Sequence, residues 1–223
     1  PDNWVSGVNT QDFAALDSAL RGFDRELERN ALNAGLNLRL SEHWKLRSNV
    51  RYEEKEGHDD VGTGIYINGA SADAVFLRRP VDHTTTEFDL GLAFEGQRLH
   101  LDGELAYSEF DNDKELLTWQ NPYANYGANV AYPAGTGGLG RMPDTVQLSG
   151  RLVGHYIVSP KARFQFDGSY ALNTQDQDYL DYTVNDALTV SEPLPQTDFD
   201  GEVAIGTFNG KLLLSPLRGL TAQ

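Results

Sequence analysis

Five histidines and two acidic triplets are the residues whose types could do chemistry. His43, His58, His83, His100 and His155 offer imidazole, which could ligate a metal or a haem iron. No cysteine accompanies them, and that removes disulfides, thiolate zinc, iron–sulfur clusters and covalent c-type haem attachment, all of which need thiol sulfur. Axial haem ligation by His100 or His155 thus lacks an attachment motif nearby, and both read as ordinary polar residues. Asp111-Asn112-Asp113 and Asp176-Gln177-Asp178 place carboxylates at alternate positions, which could chelate calcium or bridge anionic headgroups through divalent ions. Neither is followed by the glycine and late glutamate of an EF-hand loop, so both read as solvated loop charge. Gly135 to Gly140 lacks the Lys-Ser/Thr of a phosphate loop and reads as a flexible loop. With no Ser/His/Asp or paired-carboxylate spacing, the chain is expected not to be an enzyme and to bind no cofactor or metal itself.

The remaining polar residues acquire meaning from the elements that carry them. Leu32, Ala34, Leu36, Leu38 and Leu40 alternate with Asn33, Gly35, Asn37 and Arg39. After Ser41, Glu42 and His43, the residues Trp44, Leu46, Ser48, Val50 and Tyr52 alternate with Lys45, Arg47, Asn49, Arg51 and Glu53. A period of two is a β-strand. Each run has roughly the 9 to 11 residues that a tilted strand needs to cross a bilayer, and the second carries an aromatic at both ends of its apolar face, as membrane β-barrel strands do.

The pattern repeats. Thr86, Phe88, Leu90, Leu92 and Phe94 oppose Glu87, Asp89, Gly91 and Ala93; after Glu95-Gly96-Gln97, Leu99, Leu101, Gly103, Leu105 and Tyr107 oppose His100, Asp102, Glu104 and Ala106. A third hairpin sets Val146, Leu148, Gly150 and Leu152 against Gln147, Ser149 and Arg151, then Phe164, Phe166, Gly168 and Tyr170 against Arg163, Gln165, Asp167 and Ser169. Hairpins are therefore expected at about 31–54, 85–110 and 145–172, with a further strand at about 202–215. Residues 1–30 read as an outer loop, with weak helical spacing in Phe13, Leu16, Leu20 and Phe23.

Tight turns fall near Glu42, Gly96, Pro160 and Arg218, and long loops at 54–85, 111–145 and 173–200. Short turns at one end and long loops at the other match outer-membrane barrels. The fold expected is all-β: an antiparallel up-and-down transmembrane β-barrel, present as an arc of about seven strands in a single domain over 1–223. A soluble β-sandwich also alternates, but its connections are short and its core densely aliphatic. Seven strands do not close such a barrel and an eighth would begin near Leu220, so the chain reads as one arc of a larger wall.

Composition sets outer bounds. A net charge of -15 over 223 residues argues against nucleic acid, whose phosphates demand a basic surface. A mean hydropathy of -0.47 is not decisive, since a barrel presents only alternate residues to lipid, but no apolar run approaches the ~18 residues of a membrane helix, which excludes a helical membrane protein. Residues 1–10 lack the regions of a signal peptide, so a leader has been removed or the chain begins within a longer protein.

Family likeness lies in a series of segments. FLRRPVDHTTTEFDLGLAFEGQRLHLDGELAYSEFDNDKELLTWQNPY, Phe76 to Tyr123, contains Pro80-Val81-Asp82 with Thr84-Thr85 before a strand, the Tyr107 to Asn112 strand end, and Leu117-Thr118-Trp119 with Asn121-Pro122. Around it lie Arg51-Tyr52-Glu53 with Lys55-Glu56-Gly57, Met142-Pro143-Asp144, and Thr174-Gln175-Asp176 followed by Asp181-Tyr182-Thr183. In order and spacing, from about Leu20 to Leu217, these resemble the MtrB/PioB family of decahaem-associated outer-membrane proteins. The resemblance implies a large barrel in the outer membrane of a Gram-negative bacterium that sheathes a periplasmic multihaem c-type cytochrome. Together the two move electrons between periplasm and exterior, often with an extracellular multihaem cytochrome on the outer loops. The chain departs from the family in lacking the N-terminal portion, where some members carry Cys-x-x-Cys, and the remaining strands. Haem would belong to the partner, and a diffusion porin or substrate channel is the alternative.

By this likeness Arg39, Lys45, Arg47, Asn49, Arg51, Glu87, Asp89, Asp102, Glu104, Arg151, Arg163 and Asp167 face the lumen. There they would contact the cytochrome, line an aqueous pore, or pair across strands. Leu36, Leu38, Trp44, Leu46, Val50, Tyr52, Phe88, Leu90, Leu92, Leu99, Leu101, Leu105, Phe164 and Phe166 face outer-membrane lipid.

Overall fold

The first two alternating runs fold as an antiparallel pair. β1 (Leu27–Arg39) meets β2 (Trp44–Ile67) in one unbroken register, Leu38 opposite Leu46 and Leu32 opposite Tyr52. Serine chemistry closes the turn between them: the Ser41 hydroxyl accepts from the backbone N–H groups of His43 and Trp44, both at 3.2 Å. The computed structural model describes residues 16–19, 22, 24–67, 71–120, 125–126, 130–131, 136–184, 190–217 and 220–222.

β2 continues to β3 (Ser71–Glu95), and β3 to β4 (Leu99–Asn112). Next in the sheet are β9 (Thr145–Ser159), β10 (Ala162–Asp178), β11 (Asp198–Leu217) and β12 (Leu220–Ala222). The order is β1-β2-β3-β4-β9-β10-β11-β12, antiparallel at every step, and the expected eighth strand is the three-residue β12. Between β4 and β9 lie two small ribbons: β5 (Leu116–Gln120) with β8 (Thr136–Gly140), and β6 (Asn125–Tyr126) with β7 (Val130–Ala131).

Four expectations need correction. Of the loop expected at 54–85, residues 54–67 and 71–85 are strand: β2 and β3 stay paired from Trp44↔Phe94 out to Ile67↔Ser71. A main-chain ladder needs only mutual pairing, so it persists where neither face is apolar and the period-two signal has gone. β10 and β11 likewise remain paired to Asp178↔Asp198, which shortens the connection expected at 173–200. Residues 136–140 are strand β8, not flexible loop. At the N-terminal side, the strand begins at Leu27 within the stretch expected as outer loop, and α1 (Leu16–Ala19) is a single turn; residues 1–15 and the turn at Arg218 lie outside the described residues.

The β1–β2 ladder ends at a position only glycine fills. Gly57 has φ +127°, and a Cβ there would lie 2.1 Å from the Glu26 carbonyl oxygen, which accepts the His58 N–H at 2.8 Å. Beyond it β2 and β3 pair with each other and no longer with β1. The tight connections, 40–43, 96–98 and 160–161, lie together at the opposite end. His43 and Glu95 tie two of these turns: the Glu95 N–H donates to the His43 carbonyl at 2.8 Å.

Almost nothing is buried. Among the described residues only Val81, Ala93 and Leu117 are buried apolar side chains, and the sheets besides the main one are two small two-stranded ribbons. A soluble sandwich needs a core between two sheets, so the exposed apolar face must meet something other than water.

Candidate functional site

Directly opposed residues of an antiparallel ladder project to the same side, so register sorts every side chain onto one of two faces. One row runs Leu38, Leu46, Leu92, Gly103, Leu152, Gly168, Phe208 across seven strands. The next runs Leu36, Ser48, Leu90, Leu105, Gly150, Tyr170, Gly206. Every residue assigned from sequence to lipid shares this apolar face, and every residue assigned to the lumen shares the other. Leu32, Leu105 and Phe208 are 69%, 58% and 72% exposed, although a folded chain in water would hide them.

Aromatic residues edge the apolar face at both ends. Trp44, Phe94, Tyr156 and Phe164 stand near the tight turns, with the Trp44 and Phe94 rings 4.9 Å apart; Tyr52 and Tyr107 stand at the far end. Along β9 the apolar positions run from Val146 to Tyr156, about 33 Å at about 3.3 Å per residue, which a tilt of roughly 40° projects to the ~25 Å of a barrel's apolar band. Glycines make room for neighbouring rings: the Phe166 ring and the Leu101 side chain lie over Gly154, where a Cβ would meet them at 2.6 and 2.8 Å.

On the polar face the charges neutralise one another. Arg47 on β2 reaches over β3 to Asp102 on β4 in a forked pair, Nη1–Oδ2 3.0 Å and Nη2–Oδ1 2.7 Å. Small residues beneath permit it: Ala93 is buried, and the guanidinium covers Gly91, where a Cβ would lie 3.0 Å from Nη2. Arg51 bonds both Glu87, directly opposite, at 3.2 Å and Glu53 at 2.6 Å. Arg151 pairs with Asp167 at 2.5 Å, although Glu104 stands opposite it, and Lys45 pairs with Glu95 at 2.8 Å. Arg39 donates to the Ser41 carbonyl at 3.2 Å, Asn49 faces Asp89, and Arg163 lies at the turn end opposite Ile157.

Above the apolar band a second charged cluster holds the base of the β2–β3 extension. Arg79 forks onto Asp59 directly opposite, Nε–Oδ1 2.6 Å, and this guanidinium holds the Asp59 carboxyl below the usual range against the opposing effect of burial. Arg141 donates to the Pro80 carbonyl, and Lys114 pairs with Asp82 at 2.8 Å. Repulsion from Glu54, then burial, raises Glu56; burial, then the cations Lys55 and Arg141, lowers His83.

The first acidic triplet is centred on a structural asparagine. Asn112, expected as a spacer between carboxylates, is buried: its Nδ2 donates to the Met142 and Lys114 carbonyls at 2.7 and 3.1 Å, and its N–H donates to Asp144 at 2.8 Å. Asp144 in turn raises Asp111 by repulsion, with burial contributing. Asp176 and Asp178 lie in β10 opposite Asp200 and Asp198. Of the histidines, His58 and His83 are in strands, not in the loop expected for them, and His43 sits in a turn with its Nδ1 2.8 Å from the Glu95 carbonyl. His100 and His155 are directly opposed on the polar face with stacked rings, a pairing that separate strand patterns do not reveal.

Comparison with known proteins gives two findings. The family model described as outer membrane beta-barrel porin, MtrB/PioB, matches residues 1–223. Among solved structures, the ferric-catecholate import receptor Fiu of E. coli K12 in its closed form is similar at 9% identity and a TM-score of 0.38, covering 86% of this chain and 31% of its own. No curated protein matches.

Proposed function

The chain belongs to the MtrB/PioB family of outer-membrane β-barrel porins, and from that premise we propose that it walls a barrel sheathing a multihaem c-type cytochrome, as the scaffold of a transmembrane electron conduit. The polar face is the lumen and the aromatic-edged face meets lipid. The observation that carries the reading is the state of the polar face: Arg47, Arg51 and Arg151 lie along the wall, bonded to Asp102, Glu87, Glu53 and Asp167. Such a wall lets a protein surface approach closely without leaving buried unpaired charge. Hydrocarbon outside and an enclosed protein inside keep water from the haem row, and the barrel spares the cytochrome's polar surface from lipid.

Having no cysteine, this chain leaves the haem and its redox steps to the enclosed partner. The long end of the sheet, with the β2–β3 extension, faces the exterior, where a second multihaem cytochrome docks. The full-length protein should copurify from outer membranes with haem absorbance that comigrates with the barrel, and it should conduct ions poorly in planar bilayers. A colourless, fully assembled barrel with robust conductance would instead establish the diffusion-porin reading.

A further inference from the structure

We propose that His100 and His155 form a two-imidazole site for a divalent transition-metal cation on the polar face, with Cu2+ the tightest ligand. The rings come from adjacent strands β4 and β9, directly opposed, with centroids 4.4 Å apart and planes 16° from parallel. The same row continues on both sides: Glu95 on β3 stands opposite His100, and Gln165 on β10 stands opposite His155. Four neighbouring strands thus present oxygen, nitrogen, nitrogen and oxygen donors in line. They border a depression of about 480 Å³ whose lining also includes Asp102 and Lys211.

Imidazole nitrogens bind such metals at about 2.0 to 2.1 Å, so a chelating pair stands roughly 3 Å apart. Rings already stacked reach that separation by rotation about χ2, a soft torsion, while the two strands hold their Cα atoms fixed. Among the described residues no three His, Asp or Glu side chains converge, so water completes the coordination. Gln165 or Glu95 joins it, Glu95 by leaving Lys45, now 2.8 Å away. Imidazole sites with open positions follow the order in which Cu2+ exceeds Ni2+ and Zn2+. Imidazole ligates through a neutral ring, so protons compete with the metal and binding weakens in acid.

The site lies at the turn end of the polar face, where the depression leaves room for water, and it does not depend on which partner the barrel encloses. The test is a Cu2+ titration of the chelator-stripped full-length protein in its native complex, read by calorimetry and by nitrogen hyperfine structure in the paramagnetic resonance spectrum. H100Q, H155Q, the double variant and an H43Q control are compared, with gel migration of the unheated barrel reporting its fold. The expected result is one Cu2+ per chain with two coordinated nitrogens. Each single variant should lose about tenfold or more in affinity, the double variant should lose the site, and H43Q should bind as the parent does. A folded double variant that titrates like the parent, or a parent that binds no Cu2+, overturns the proposal.

Discussion

Leu105→Arg separates a lipid-embedded sheet from any sheet that stands in water. Leu105 is 58% exposed and lies opposite Leu90 and Gly150, near the middle of the apolar run from Val146 to Tyr156. On a soluble sheet, an exposed leucine replaced by arginine changes stability by no more than about 0.5 kcal/mol. In a bilayer the same change puts a cation near the midplane of the hydrocarbon, at about 2 to 4 kcal/mol, or roughly 30- to 900-fold in the unfolding equilibrium. Depth supplies the first control. Leu99, on the same strand and opposite Tyr156 at the aromatic edge, should cost only about 0 to 1 kcal/mol as arginine. The opposite face supplies the second. Ala106 lies next to Leu105 in sequence and opposite Asp89, so Ala106→Arg places its charge beside a carboxylate and should cost under about 1 kcal/mol. The assay is urea unfolding of the full-length barrel folded into phospholipid vesicles, followed by tryptophan fluorescence. Leu105→Arg costing no more than Leu99→Arg would refute the membrane placement, and a large penalty at Ala106 with none at Leu105 would show that the faces are reversed.

Three further outcomes follow from the packing and the charges. Gly154→Ala puts a Cβ 2.9 Å from the His100 carbonyl as well as against Phe166 and Leu101, whereas at Gly206 the nearest atom is 3.7 Å away in Tyr170; the first should lose about 1 to 3 kcal/mol by overpacking and the second very little, measured as urea midpoints. A double-mutant cycle on Arg47→Met and Asp102→Asn should give a coupling of at most about 1 kcal/mol in the barrel alone, because both side chains are 44% exposed, and it should shrink with added salt; a cycle repeated in the native complex should give more, as an enclosed protein excludes water from the pair. His83 is lowered by burial and then by Lys55 and Arg141, so the folded state takes up its proton later than the unfolded chain. Stability contributed there is complete above the unfolded value near 6.5 and declines as pH falls below it; His83→Gln should flatten that part of the pH profile in thermal unfolding.

Within the membrane band the sequence was a faithful guide, because there the physical cause of the pattern and the pattern are the same thing. Leu38, Leu46 and Leu92 alternate with Arg39, Lys45 and Ala93 because each strand separates lipid from a polar interior, and register then aligns them in one row. Pairings between strands left no such trace. Arg47 meets Asp102 through a gap made by Gly91 and Ala93, and the likeness of two small residues on an intervening strand to a channel for a guanidinium is visible only after the strands are aligned. The same holds for His100 and His155, which belong to different hairpin patterns and become neighbours because β9 pairs with β4 across the intervening small ribbons.

Outside the band the sequence misleads in an instructive direction. Period two reports a contrast between two environments, not the presence of a strand. From Glu53 outward β2 carries Glu54, Glu56, Asp59 and Asp60, so with water on both sides alternation vanishes while the ladder continues to Ile67↔Ser71. What remains legible there is cross-strand charge: Asp59 opposite Arg79 is recoverable by extending the register set by Trp44↔Phe94 without slip. The forked Asp59–Arg79 pair, the Arg141 bond to the Pro80 carbonyl and the Lys114–Asp82 pair all brace the extension where β1 and β4 leave it. A two-stranded ribbon is marginal in water by itself, so these contacts at its base are what a rigid projection from the rim requires.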